Sequence, residues 1–277
     1  GHKYLEKVFE FSPHASEDAV DLALMREGFA DVTAMKMQLE KEGVLIPLYA
    51  RETGMRSGMY SYAPLQKRAA VNRDKAKQLY TRKEFSLPEG LVNDHVKQRG
   101  DKLVRDALIY TARPQGFKVI ETEDSGHKIT YMRAVRDLYK NAGYDVVALA
   151  RTNQGKDVFK EAGFARGVLT YRDFLRRFGE RYTGAKSEAK KVVLVDEADQ
   201  LSPLQDQEIF NTARKIGAKV IYIGRGKAKK KRHWQNLFAF YKNLTAFKKL
   251  RDKFRKVKTN VRQKMIRDAF MLSLIHI

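Results

Sequence analysis

Beyond Pro114 the chain repeats one pattern. Phe117-Lys-Val-Ile120, Tyr144-Asp-Val-Val-Ala-Leu149, Val192-Val-Leu-Val195 and Lys219-Val-Ile-Tyr-Ile223 are short apolar runs rich in β-branched residues, with helical stretches between them. Runs of this kind suit strands buried on both faces, and strands alternating with helices pair as a parallel sheet covered by helices. The expected fold is therefore α/β. In open sheets of this kind ligands bind beyond the carboxyl ends of the strands, so the residues that follow each run carry the functional argument.

After the first run the chain reads Glu121-Thr-Glu-Asp-Ser-Gly-His-Lys-Ile-Thr130 and continues as an amphipathic helix through Arg133, Val135, Leu138 and Tyr139. A phosphate-binding loop belongs at this junction. It needs glycines so that backbone N–H groups can wrap phosphate, a Lys for the β/γ-phosphates and a Ser or Thr for Mg²⁺. Gly126, Lys128 and Thr130 are the candidates for those parts, while Glu121, Glu123 and Asp124 would repel phosphate. An ordinary charged β–α loop accounts for this stretch equally well when it is read alone. The third run delivers Asp196 and Glu197 to a strand end. In an ATPase Asp196 would hold Mg²⁺, together with Thr130, and Glu197 would polarise the attacking water. The alternative is a helix start rich in carboxylates, which the helix dipole favours anyway.

Upstream, Ser16-Glu-Asp-Ala-Val-Asp-Leu-Ala-Leu-Met25 predicts a helix with Gly28 near its end, and Val32 to Lys41 predicts a second, closed by Gly43. Val44-Leu-Ile-Pro-Leu-Tyr49 and Met59-Tyr-Ser-Tyr62 flank a Gly-bearing turn. Helices followed by a hairpin suggest a winged-helix-like α+β unit, either touching DNA or serving as an accessory module. The expected organisation is this unit over residues 1–66, a charged helical linker or insert over 67–115, the α/β domain over 116–250 and a basic helical tail over 251–277.

The 55 Lys and Arg against 33 Asp and Glu give a net charge of +22, which repels itself unless a polyanion screens it. From Arg225 to Arg267 there are 17 Lys and Arg and a single acidic residue, Asp252. Such a concentration of charge binds phosphate strongly and salt-dependently. Arg225, Lys227, Lys229, Lys230, Lys231 and Arg232 lead it, and Trp234, Phe238, Phe240, Tyr241, Phe247 and Phe254 interleave with it. Aromatics at that spacing are more often core, so Phe238, Phe247 and Phe254 are expected to be buried, with Trp234 the candidate for base stacking. No run of 18 or more apolar residues and no secretory pattern occurs, which predicts a cytoplasmic protein without membrane insertion. With no Cys and six dispersed His, the expected metal is limited to Mg²⁺ accompanying ATP. Gly1-His2-Lys3 and the Ser-Leu-Ile-His-Ile ending suggest that both ends are cut, the ending resembling translated adapter sequence or a continuation of the preceding helix.

Taken in order, these segments resemble the RecD-like superfamily 1 helicase region of conjugative relaxases of the TraA/TraI type. The resemblance is carried by Ala30-Asp-Val-Thr33, Glu42-Gly-Val-Leu-Ile-Pro-Leu48, the Lys128 loop, Asn141-Ala-Gly-Tyr-Asp-Val-Val-Ala-Leu149, Thr152-Asn-Gln-Gly-Lys156, Val168-Leu-Thr-Tyr-Arg-Asp-Phe174, the Asp196-Glu197 strand and Gly217-Ala-Lys-Val-Ile-Tyr-Ile-Gly224. It implies a RecA-like P-loop NTPase-type parallel sheet. It also implies that the Arg151 to Lys156 segment touches single-stranded DNA through Asn153, Gln154 and Lys156. The chain departs from the family after Gly224, where Arg225-Gly-Lys-Ala-Lys-Lys-Lys-Arg232 replaces an Asp and a Gln that sense the γ-phosphate, and at Lys249, where an arginine is expected. Conjugative relaxases also carry vestigial helicase domains that bind single-stranded DNA. The expectation is such a module, working beside other domains of the same polypeptide, with the Tyr-and-His nicking site upstream of Gly1. An active ATP-dependent helicase segment using Lys128, Asp196 and Glu197 is the alternative, and a basic protein-interaction scaffold is a second.

Overall fold

Ser16 and Asp31 act as helix caps: the Ser16 side chain accepts from the Ala19 amide and that of Asp31 from the Ala34 amide. The computed structural model in which they sit describes residues 2–10, 12–122, 125–164, 167–179, 190–225 and 235–245. The N-terminal elements are α1 (Lys3–Phe9), β1 (His14–Ser16), α2 (Glu17–Arg26), α3 (Val32–Lys41), β2 (Leu45–Tyr49) and β3 (Arg56–Tyr62). Gly43, at φ +68°, supplies the left-handed turn that ends α3. The three strands are antiparallel in the order β1-β3-β2. This winged-helix-like arrangement closes over Leu5, Phe9, Val20, Leu24, Leu39, Leu45, Tyr60 and Tyr62, with Phe9 stacked on Tyr62 at 5.5 Å. Lys36 of α3 is buried because it bonds Glu17 (2.6 Å) and Asp21 (2.8 Å) of α2.

Three helices follow, α4 (Ala63–Thr81), α5 (Glu89–Lys97) and α6 (Lys102–Ala112). Pro64 in the first turn of α4 costs no hydrogen bond there. The charged surface expected of this stretch occupies only one side of α4, because Leu65, Ala69, Asn72, Ala76 and Leu79 are buried along the other.

The α/β part runs β4 (Phe117–Glu121), α7 (Ser125–Asn141), β5 (Asp145–Ala150), α8 (Gly155–Glu161), β6 (Val168–Thr170), α9 (Tyr171–Phe178), β7 (Lys191–Val195), α10 (Pro203–Lys215), β8 (Ala218–Gly224) and α11 (Gln235–Leu244). Its five strands form an all-parallel sheet in the order β4-β8-β7-β5-β6. One strand, β8, is interposed between β4 and β7, as in RecA-like P-loop folds. The period-2 alternation of side chains divides each strand between two cores. Phe117, Val119, Val147, Leu149, Val193, Val195, Val220 and Tyr222 pack with residues of α4, α9, α10 and α11. Ile120, Val146, Ala148, Val192, Leu194, Ile221 and Ile223 pack with α6, α7 and α8 on the opposite face. The first of these cores forms one buried cluster with that of the N-terminal unit and with Leu65 and Ala69 of α4.

Three strand lysines, Lys118, Lys191 and Lys219, are buried with the apolar residues. Lys219 donates to the carbonyls of Thr111 and Arg113, both at 2.6 Å, and so satisfies acceptors left open where α6 ends. Lys118 lies over the ring of Tyr110 at 4.5 Å, and burial pushes its amine down to about 7.

Candidate functional site

The sheet topology brings the carboxyl ends of β4, β5, β7 and β8 to one edge, and the sequence candidates Lys128 and Asp196 meet there. Lys128, in the first turn of α7, donates to both oxygens of Asp196 at 2.9 and 3.2 Å. The pair is largely sealed from water, with side chains 14% and 5% exposed. Asp196 Oδ1 also accepts the Glu197 amide at 2.8 Å. Burial pushes the Asp196 carboxyl above its ordinary value, and the Lys128 charge and hydrogen bond pull it back. Glu197 adopts φ +51°, the one non-glycine residue in the left-handed region among those described. Such strain costs on the order of 1 kcal/mol or more and collects at functional turns. Its carboxylate takes a hydrogen bond from Arg151 Nε at 3.1 Å. Both partners are more than a third exposed, so this ion pair contributes at most about 1 kcal/mol.

The neighbouring carboxylates are also paired. Glu121, at the end of β4, meets Lys242 of α11 at 2.5 Å. Asp199, buried in the 3-10 turn after β7, accepts the Arg225 amide (3.1 Å) and the Gln200 side chain (2.9 Å). A Cβ on Gly224 would lie 2.7 Å from both Asp199 Oδ1 and the Phe238 ring, so the close approach of β8 to this turn depends on glycine.

The remaining candidates are placed as follows. Gly126 lies in the first turn of α7. His127, between Gly126 and Lys128, pairs through Nε2 with Asp101 at 2.9 Å. Thr130 is exposed and two residues beyond Lys128 on the same helix, about 200° around its axis, so it does not join the Lys128–Asp196 pair. Ile129, directly after the lysine, packs against the apolar core. Among the described residues no group of three or more His, Cys, Asp or Glu could hold a metal ion.

Asn153 and Gln154 are exposed in the turn between β5 and α8, whereas Lys156 leans on Asp173 of α9 at 3.5 Å. Arg225 is exposed where β8 ends. Lys227, Lys229, Lys230, Lys231, Arg232 and Trp234, like Phe247 and Phe254, lie outside the described residues, while Phe238 is buried as expected. Sequence reasoning missed the partners Arg151 and Lys242 and the buried Asp199. An arginine set directly behind a buried strand was the available signal for the first.

The interposed strand, with a lysine at the first helix meeting the Asp196 carboxylate at the end of β7, fits a RecA-like P-loop NTPase fold. Consistently, residues 111–235 match the family model described as an AAA domain. The chain is also similar to "Probable conjugal transfer protein TraA" of Sinorhizobium fredii, 27% identical over 121 residues, which are 43% of this chain and 11% of that protein. The fold, the motifs and these two likenesses together support a helicase-like region similar to that of TraA. It spans a small part of the relative's length. Among the described residues no helix is long and apolar enough to cross a membrane.

Proposed function

We propose that this region is a single-stranded-DNA-binding, helicase-like module of a conjugative relaxase in which the nucleotide site has ceased to hydrolyse ATP. AAA and P-loop domains generally bind ATP with Mg²⁺, and Lys128 and Asp196 are the groups here suited to phosphate and metal. The surrounding residues fit that cofactor poorly. His127 stands where the loop needs glycine, Ile129 where Mg²⁺ needs a hydroxyl, and Thr130 faces away from the pair. The observation that carries the reading is the sealed Lys128–Asp196 pair, in which each charge satisfies the other.

DNA binding is supported by polar residues exposed at the same edge and by the basic composition of the sequence after β8. Exposed Asn153 and Gln154 follow β5, and Arg225 opens a run with five further cations by Arg232. Cations in such number attract a strand by counterion release, and polar side chains beside them position it. The N-terminal unit is a poorer phosphate binder, since residues 1–62 hold ten Asp and Glu against seven Lys and Arg. The natural partners are single-stranded DNA and the other domains of a longer relaxase, acting in the cytoplasm.

The test is ATP hydrolysis with and without single-stranded DNA, for the wild type, Lys128→Ala and Glu197→Gln. DNA binding is titrated in the same samples. The expected result is no turnover in any of them and tight single-strand binding by the wild type. Turnover lost in either variant makes the region a working half-motor and overturns the reading. Equal affinity for heparin, duplex and single strands would instead favour a basic scaffold.

A further inference from the structure

Nine large hydrophobic residues stand exposed among those described, and six of them, Leu22, Met25, Met37, Ile46, Tyr49 and Met55, fall within the first 62 residues. Met25, Met37 and Met55 are 60%, 65% and 71% exposed. Apolar side chains scattered singly need no explanation, whereas grouped ones mark an interaction surface. A cleft of about 790 Å³ lies between α2, α3 and β3, lined by Glu17 and Asp21 of α2, Lys36, Met37 and Glu40 of α3 and Arg56 of β3. Met25 stands one helical turn beyond Asp21 on the same stripe of α2. Tyr49 is the register partner of Arg56 across the hairpin, and Met55 directly precedes that arginine. The exposed apolar residues of α2, α3 and the hairpin therefore border one cleft.

The second helix of such a pair, here α3, is the one that would enter a DNA groove. The chemistry of this cleft opposes that use. Lys36 is spent on Glu17 and Asp21, and Arg56 gives both terminal nitrogens to Glu40 at 3.3 and 2.6 Å. Of the cleft's cations Lys41 alone, among the described residues, has no carboxylate partner. Lys36 occupies only one oxygen of each partner, Glu17 Oε1 and Asp21 Oδ1, so a second oxygen of each is left to receive a cation from outside. The N-terminal unit holds ten Asp and Glu against seven Lys and Arg, while the rest of the chain holds 23 against 48. A polyanion is drawn to the remainder of the chain and a cationic partner to this unit. Methionine suits the apolar part of such a contact, because its flexible, polarizable side chain adapts to varied surfaces.

We propose that the α2–α3 cleft docks a basic amphipathic helix of a partner protein, with Met25 and Met37 taking its apolar side chains and the open oxygens of Glu17 and Asp21 taking its Lys or Arg. A groove between two helices receives such a segment by its apolar face, and the charges at the rim set its orientation. The N-terminal unit is then a protein-recognition module beside the α/β domain. This assignment stands apart from single-strand binding and uses none of the residues proposed for it.

The probe is a fluorescein-labelled amphipathic helix built of Leu and Lys, with a Leu/Glu helix of the same length as its counterpart. Each is titrated by anisotropy against the full chain, against Met25→Gln with Met37→Gln, and against Glu17→Gln with Asp21→Asn. The basic remainder of the chain repels the Leu/Lys helix, so its binding reports on the N-terminal unit. Saturable binding with a Kd on the order of 10 μM or tighter is expected. The methionine pair, exposed and outside the core, can be replaced without loss of the fold, and its replacement should weaken binding about tenfold or more. The carboxylate pair should lose roughly threefold to tenfold, together with most of the salt dependence. Should its loss of Lys36 partners unfold the unit, the methionine variant decides. The Leu/Glu helix, drawn to the basic remainder, should not respond to the methionine substitutions, and oligo-dT affinity should stay at its wild-type value in that variant. Absence of saturable Leu/Lys binding, or equal binding by wild type and the methionine variant, overturns the proposal. A fall in duplex or oligo-dT affinity in that variant makes the cleft a DNA reader and overturns it as well. Self-association of the wild type in sedimentation, abolished by the same substitutions, would make a second copy the occupant and refute the stated partner.

Discussion

Lys128→Met is the most informative single substitution, because it distinguishes a structural ion pair from a nucleotide ligand. It leaves Asp196 buried with the Glu197 amide as its remaining hydrogen-bond donor in the site. Removing one partner of a buried pair costs about 3–5 kcal/mol, since the other charge stays uncompensated. The amide still solvates Asp196, so the lower end, about 3 kcal/mol, is expected. For a chain of this size that corresponds to a fall of roughly 6–10 °C in Tm. Replacing both partners by apolar residues, Lys128→Met with Asp196→Leu, should recover most of the loss, as apolar replacements of buried pairs commonly do. The two substitutions would then show a coupling of about 2 kcal/mol or more in a double-mutant cycle. The assay is urea unfolding followed by circular dichroism, repeated with MgATP. The reasoning is refuted if Lys128→Met costs under about 1 kcal/mol or if the two losses simply add. It is refuted equally if MgATP raises wild-type stability by about 3 kcal/mol or more and leaves Lys128→Met unmoved, for then the lysine is free to serve a nucleotide.

Burial holds the Asp206 carboxyl up to about 7 from an ordinary 3.8, so between those values the folded state keeps a proton that the unfolded chain has released. Wild-type stability should therefore fall as pH rises from about 4 to 7 and level off above; Asp206→Asn should remove that slope and gain up to about 4 kcal/mol at pH 8, and parallel Tm–pH curves would contradict this. Lys118 has the opposite sign: with its amine near 7 against an ordinary 10.5, the unfolded chain binds more protons between them, and wild-type stability rises with pH through that window. Lys118→Met should raise Tm at pH 6 by an increment that shrinks toward pH 10, measured by scanning calorimetry. Gly224→Ala places a methyl against Asp199 and the buried Phe238 ring, so a loss of about 1–3 kcal/mol in unfolding free energy is expected, with weaker single-strand binding.

The strands were legible because burial on both faces leaves little room for polar residues, and Val192 to Val195 or Ile221 to Ile223 could scarcely be anything else. The exceptions inside them were not legible. Lys219 reads as an outward-facing residue until the end of α6 is found beside it, a tertiary fact without a local signal. The sequence indicated Lys128 and Asp196 as members of one site, and helix periodicity alone separates Thr130 from Lys128 once α7 is seen to begin at Ser125. The Arg151–Glu197 pair required knowledge that β5 lies beside β7, and strand order is fixed by long-range pairing rather than by either segment. The hairpin of the N-terminal unit could be read from its turn, but the pairing of β1 to β3 across 40 or more residues could not.

Helix α4 has one more consequence. Its 19 residues make a rod of about 28 Å. At one end it emerges from the winged-helix-like unit directly after β3, with Arg68 reaching Glu6 of α1. Along its length Asn72 bonds the Pro203 carbonyl at 2.6 Å, and Lys75 bonds Asn211, also at 2.6 Å. At the other end the Arg82 carbonyl accepts the Gly116 amide at 2.8 Å, beside the start of β4. A load applied to the N-terminal unit is therefore not absorbed by a slack tether. It meets a rigid helix pinned at both ends and along its length.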